Sequence, residues 1–164
     1  MCYFVFVGLR GRDSGALVRT LIATGFEVNG CGNATIRASF PAGDSVSVVT
    51  SGGCSCDIFG QPAAAFDEAA TRERYRRKGW SAAKIDRAVL AKRPSERPAF
   101  AAFRGAFTAL VRANGSARIV AHSFSGNIET EEVGVLKPVR VSLDWFLERG
   151  GAYERDVVHD VRAD

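Results

Sequence analysis

The chain has 164 residues, of which 46% are hydrophobic, and a formal net charge of +4. This length suits one domain that can bury a core without disulfide bonds, and no stretch approaches the ~20 apolar residues of a membrane-spanning helix. The apolar residues 2–7 follow no charged region and are closed by Arg10 and Arg12, which argues against a signal peptide. We therefore expect a single domain over residues 1–164, no membrane association and a cytoplasmic location, where cysteines are usually thiols or metal ligands.

The first third of the chain shows strand, helix and hairpin patterns in that order. Residues 2–7 form a continuous apolar run typical of a strand buried on both faces. Asp13 or Ser14 can cap a helix that ends at Gly25. Residues 35–40 alternate between apolar and polar side chains, the chain turns at a Pro-Ala-Gly-Asp sequence, and residues 46–51 return, which predicts a hairpin.

The remainder is mainly helical before it returns to strands. The apolar spacing and the capping residues predict three consecutive helices, followed by a strand, a short strand, a small helix and an edge strand. In chain order these elements cover residues 67–78, 81–93, 98–111, 118–124, 139–141, 142–149 and 153–161.

Up to Phe124 the element order is β-α-β-β-α-β, the split βαβ pattern of the ferredoxin-like fold. We predict an α+β protein with such a core over residues 1–124, helices on one face of the sheet, and a C-terminal β/α extension over residues 125–164. Right-handed connections then give the strand order 4-1-3-2, with the third strand antiparallel to the first and the second.

The sequence Cys54-Ser-Cys56 is the strongest candidate site. It follows a predicted strand and the pair Gly52-Gly53, which would let backbone amides approach a ligand or activate a thiol. Cys54 and Cys56 are therefore the candidate catalytic residues, and the two glycines are candidate ligand-binding residues. The alternative is that these thiols are simply small structural side chains.

A metal site is one interpretation of these thiols. In the predicted topology, the starts of the first and second strands and the ends of the third and fourth strands lie at one end of the sheet. The predicted hairpin register also sets Cys31 opposite Cys54. Zinc, or another transition metal, commonly takes four ligands of the Cys and His type. The predicted ligands are drawn from Cys2, Cys31, Cys54, Cys56 and His122.

Cys2 supports a further hypothesis. Removal of Met1 would make its thiol the N-terminal side chain, with the α-amine as base, as in N-terminal nucleophile hydrolases. Burial of Cys2 in the first strand is the competing interpretation.

Basic residues are concentrated in residues 67–104, which hold 11 Lys and Arg against 5 Asp and Glu. Such a segment can bind nucleic acid or an acidic protein partner through phosphates or carboxylates, with Trp80 available to stack on a base. The candidate contacts are Arg74, Arg77, Lys78 and Trp80. A solvated helix face is the simpler explanation, and a homodimer is also compatible with the sequence.

Overall fold

A computed structural model of the chain describes residues 2–11, 14–59, 68–92, 98–148 and 156–163. The fold is mixed α+β. Its helices are α1 (Ser14–Ala23), α2 (Ala34–Ala38), α3 (Cys56–Phe59), α4 (Glu68–Arg77), α5 (Ala82–Lys92), α6 (Pro98–Asn114) and α7 (Leu143–Glu148). Its strands are β1 (Cys2–Arg10), β2 (Glu27–Gly30), β3 (Asp44–Thr50), β4 (Ser116–Phe124), β5 (Pro138–Ser142) and β6 (Val158–Arg162).

The strands form one six-stranded sheet in the order β2-β3-β1-β4-β6-β5. Its first four strands have the predicted order, and β3 is antiparallel to both β1 and β2. The C-terminal strand was predicted at the edge, and that placement is wrong, because β6 lies between β4 and the parallel strand β5. The burial of Val158, His159 and Val161 on β6 accounts for its interior position.

Both faces of the sheet are covered. Alternate residues of a strand point to opposite faces, and on β1 the side chains of Val5 and Val7 join a core with α1, α3, α6 and α7. Phe6 points the other way, into a second core with α2 and a covering segment, which we define as residues 125–137. The prediction of helices on one face is therefore wrong for α2.

The predicted strand over residues 35–40 is helix α2. The Asn33 carboxamide oxygen accepts hydrogen bonds from the backbone N–H of Thr35, at 3.0 Å, and of Ile36, at 2.9 Å. This is an N-cap, and it satisfies backbone donors that a strand would have paired across the sheet. Ile36 is buried whereas Ala38 is exposed, and this breaks the alternation of buried and exposed residues that a half-buried strand would show.

Several predicted helix ends are confirmed by their caps. Gly25 follows α1 with a φ of 90°, a conformation that favours glycine. The Ser142 hydroxyl accepts a hydrogen bond from the backbone N–H of Trp145, at 3.1 Å, at the start of α7. Gly79, the second residue after α4, has a φ of 71°. Local sequence signals therefore fixed these boundaries.

A buried charge cluster joins β3, β4 and β6. Arg118 Nη1 lies 3.0 Å from Asp44 Oδ2, whose side chain is fully buried, and Arg118 Nε lies 3.3 Å from Asp160 Oδ1. Removing one partner of such a cluster would leave a buried charge uncompensated. Gly8 on β1 lies against it, since a Cβ there would come within 3.2 Å of Asp44 Oδ2 and within 2.4 Å of the neighbouring Phe40 ring.

The chain divides into two compact units, residues 1–61 with 97–164, and residues 62–96. The sheet and both of its cores belong to the first unit, and α4 and α5 belong to the second. The prediction of one domain stays a prediction. No helix in the described ranges is long and apolar enough to cross a membrane.

Candidate functional site

The Cys-Ser-Cys sequence lies at a tight turn that ends β3. Gly52 and Gly53 have φ values of 67° and 88°, and the Ser51 backbone N–H donates to the Cys54 carbonyl oxygen at 2.9 Å. Two positive φ values in a two-residue turn are the requirement of a type I′ turn, which explains the two glycines. The ligand-binding role of these glycines stays a prediction.

Ser55 anchors the loop to the sheet. Its hydroxyl accepts a hydrogen bond from the Val5 N–H at 2.9 Å and donates one to the Val49 carbonyl oxygen at 2.6 Å. Val5 and Val49 are the last pair of the β1–β3 register, so the fully buried hydroxyl links the two strands at the point where their pairing ends. The middle residue of the motif thus fixes the backbone that carries both cysteines.

The two cysteines of the motif differ from Cys31 in burial. Cys54 and Cys56 are both half-buried, whereas Cys31 is buried. The Cys56 backbone N–H donates to Cys54 Sγ at 3.3 Å. Cys31 donates its S–H to the Asn33 carbonyl oxygen at 3.5 Å, and burial raises the pKa of its thiol, an effect that the Asn33 backbone and the Arg37 charge only partly oppose.

The predicted meeting of strand ends is confirmed in part. Cys2 pairs with Phe124, so the start of β1 and the end of β4 lie at the end of the sheet where β3 ends. The placement of Cys31 beside Cys54 is wrong. The Cys31 N–H donates to the Val46 carbonyl oxygen, five residues before the bridge that Ser51 forms with Cys54, which is about 16 Å along β3.

This displacement has a clear cause. Because residues 34–38 are helical, the strand that pairs with β3 is the earlier segment β2, with Glu27 opposite Thr50. The start of β2 therefore lies at the predicted end of the sheet, but Glu27 occupies that end, and Cys31 follows the opposite end of β2.

His122 has a carboxylate partner. Its Nδ1 lies 2.5 Å from Asp156 Oδ1, and its ring packs edge-on to Phe124 with centroids 4.6 Å apart. Within the described ranges, no group of three or more His, Cys, Asp and Glu side chains is placed to hold a metal ion. Metal binding stays a prediction, and so does the N-terminal nucleophile hypothesis, because the Met1 residue and the Cys2 side chain lie outside what the structure describes.

The basic helices form a small unit of their own. Tyr75, Ile85 and Val89 make its core. The Trp80 ring stacks on Tyr75 with centroids 4.4 Å apart and planes 5° apart, and Lys84 Nζ lies 4.2 Å from the Trp80 centroid. Trp80 therefore holds the bend between α4 and α5 together, and this packing competes with the predicted base stacking.

Sequence analysis missed several residues that shape these sites or the fold around them, notably Ser55, Asn33, Glu27 and Arg118. The asparagine cap before Ala34 was a usable signal for α2. The roles of Ser55 and Arg118 depend on strands that are distant in sequence. Comparisons of the chain with family models, with curated proteins and with solved structures found no match, so the sites are interpreted from their own geometry.

Proposed function

We propose that the protein carries out thiol–disulfide exchange at the Cys-Ser-Cys loop, with Cys54 as the attacking thiol and Cys56 as the resolving thiol. The observation that carries the proposal is the hydrogen bond from the Cys56 N–H to Cys54 Sγ, at 3.3 Å. A backbone donor stabilises a thiolate relative to a thiol, and the thiolate is the nucleophile. The half-buried position of both cysteines leaves them within reach of a substrate.

The reaction balances without a metal or cofactor. The Cys54 thiolate attacks one sulfur of a low-molecular-weight disulfide, forms a mixed disulfide and releases the other sulfur as a thiolate. The Cys56 thiolate then attacks Cys54 Sγ and releases the second half of the substrate. The substrate disulfide is reduced by two electrons, and the protein is left with a Cys54–Cys56 disulfide, which an external dithiol reduces again.

Trapping the mixed disulfide tests this assignment. We expect Cys56→Ser, treated with oxidised glutathione, to accumulate one glutathione on Cys54, because the resolving thiol is missing. The wild type should instead lose two hydrogens within the peptide that contains residues 54–56. Peptide mass spectrometry after alkylation of the remaining thiols distinguishes the two products.

Cys31→Ser is the matched control, because it removes a buried thiol remote from the loop. It should behave as the wild type does. The native Cys31 thiol should alkylate at least about tenfold more slowly than Cys54 at neutral pH, since burial disfavours the charged form. A proposal centred on Cys54 fails if glutathione is found on Cys31, or if Cys54 reacts no faster in the native protein than in the unfolded chain.

We also keep two predictions from the sequence as proposals, namely metal binding at the cysteine loop and a ferredoxin-like core. The same two thiols could supply half of a four-ligand site for zinc or another soft transition metal, and a zinc-dependent loss of Cys54 alkylation would reveal it. We also infer a ferredoxin-like core, which is supported by the order and directions of β1 to β4.

A second candidate function is polyanion binding by the α4–α5 unit. All three acidic residues in residues 68–92 are paired with arginines of the same unit. The pairs are Arg72 with Glu68 and Asp86, and Arg76 and Arg77 with Glu73. The exposed cations Lys78 and Arg87 form no ion pair with any described residue. This uncompensated charge favours a phosphate-rich partner such as single-stranded nucleic acid.

Salt titrations with a labelled single-stranded oligonucleotide test this second function. If Lys78 and Arg87 contact phosphates, the affinity should fall linearly with the logarithm of salt concentration. Changing both to Gln should flatten that slope by nearly two units, about one for each lost contact. Arg77→Gln is the control, since Glu73 holds its guanidinium at 3.1 Å, and it should change the slope less. An affinity that does not depend on salt would exclude this function.

A further inference from the structure

A pocket of about 290 Å³ opens on the second face of the sheet, beside the edge strand β2. Its lining comes from β1, β2 and β3, from residues 30–33, from Gly53 in the turn after β3, and from the covering segment at Ile128 and Glu129. A volume of this size is close to the lower end of small-molecule sites in proteins. The pocket therefore suits a compact ligand.

The wall formed by the covering segment is held in place by α2 and its cap. Asn33 Nδ2 donates to the carbonyl oxygens of Ile128 and Glu131, at 2.8 and 2.9 Å. The Val133 N–H donates to Thr35 Oγ1 at 2.9 Å. Asn33 is almost completely buried, so these bonds set the distance between the wall and the sheet, and the pocket is formed before any ligand arrives.

The floor of the pocket is aromatic and apolar. Phe4, Phe6 and Val48 supply it, and both phenyl rings pack edge-on against Phe124, with centroids 5.7 and 6.1 Å apart. This packing fixes the rings. Aromatic faces attract organic cations through the ring quadrupole and also bind apolar groups.

Two carboxylates lie at the rim. Glu27 Oε2 accepts a hydrogen bond from Thr50 Oγ1 at 3.0 Å, and Glu129 lies on the covering segment. Neither carboxylate has a cationic partner among the described residues. The one ionisable sulfur in the lining, that of Cys31, is held neutral by burial, which raises the pKa of its thiol. The pocket thus carries negative charge above an aromatic floor.

We propose that this pocket binds a small organic ammonium, with the apolar body of the ligand on Phe4 and Val48 and its positive charge near Glu27 and Glu129. The combination of an aromatic floor and carboxylates without a cation is what a ligand of this chemistry requires. The proposal is independent of the thiol function, since it uses neither Cys54 nor Cys56.

Benzylammonium and benzyl alcohol are suitable probes, because they share an apolar body and differ in charge. We expect the protein to bind benzylammonium at least about threefold more tightly than the alcohol, which corresponds to one partly exposed ion pair. Changing both Glu27 and Glu129 to Gln should abolish that preference. Titration followed by amide chemical shifts gives both affinities and places the ligand, and the largest shifts should lie at Gly30, Gly32 and Gly53.

Glu132→Gln is the matched control. Like each of the two substitutions in the pocket, it removes one negative charge, here from an exposed position of the covering segment outside the pocket lining, and it should leave the preference for benzylammonium unchanged. Equal binding of the two probes to the wild type, a preference that survives the double substitution, or shift changes confined to other surfaces would each overturn the proposal.

Discussion

Ser55 illustrates how one side chain can determine the position of a site that consists of other residues. Its buried hydroxyl accepts a hydrogen bond from the backbone of β1 and donates one to the backbone of β3. These two bonds link the strands and fix the backbone of the cysteines on either side. A serine between two cysteines has no distinctive pattern in the sequence, and its role is visible only when Val5 and Val49 are brought together.

We expect Ser55→Ala to lower the free energy of unfolding by about 2 to 3 kcal/mol, because the change leaves two buried backbone groups without a partner. Urea denaturation measures this loss. Ser47 is also buried, and its hydroxyl makes no hydrogen bond to a described residue, so Ser47→Ala should cost less than about 1 kcal/mol. Equal losses for the two variants would show that the Ser55 bridge contributes nothing specific.

The first turn of the covering segment is held together by hydrogen bonds to a carboxylate. Glu131 Oε2 accepts hydrogen bonds from the N–H groups of Ser125 and Gly126, at 3.0 and 2.6 Å, and from the Ser125 hydroxyl at 3.1 Å. These bonds, with that to the Gly126 backbone the largest, and the nearby His122 charge lower the pKa of Glu131, against the opposing effect of desolvation. The turn is therefore stabilised by the ionised form of the side chain.

This pKa shift predicts a pH-dependent stability. A carboxylate whose pKa is lowered by folding contributes its stability above the pKa of the unfolded chain, near 4.5, and loses it as the pH falls through the lowered value. The wild type should therefore be more stable than Glu131→Gln at about pH 7, and the difference should shrink by about pH 3. Urea denaturation at both pH values measures the difference, and a constant difference would contradict the assignment.

Helix α2 shows why one element was mistaken for another. Residues 35–40 alternate in polarity, which is typical of a strand, yet Ala38 is exposed where that alternation would bury it. The Asn33 cap stabilises the helix, and its carboxamide also donates hydrogen bonds to the covering segment more than 90 residues away. A contact over that sequence distance has no local signal.

Across the molecule, the distribution of charged residues could be predicted from the sequence, but the ion pairs that they form could not. The excess of Lys and Arg in one segment is a matter of counting, and it predicted an electrostatic surface. Which cations are neutralised depends on the packing of α4 against α5, which sets Arg72 beside Asp86. The structure therefore favours Lys78 and Arg87 as phosphate contacts, and only Lys78 was among the candidates named from the sequence.

The order of most elements and several helix caps could be predicted from the sequence because periodicity and capping residues are local properties. The arrangement of β1 to β4 followed from the general preference for right-handed connections between parallel strands. Tertiary structure decided the position of the functional groups. Replacing a predicted strand with a helix moved the pairing partner of β3 from residues 35–40 to Glu27–Gly30. That change took Cys31 from the cysteine loop to the lining of the pocket, since register along a strand is set by pairing with a distant segment and not by the strand's own sequence.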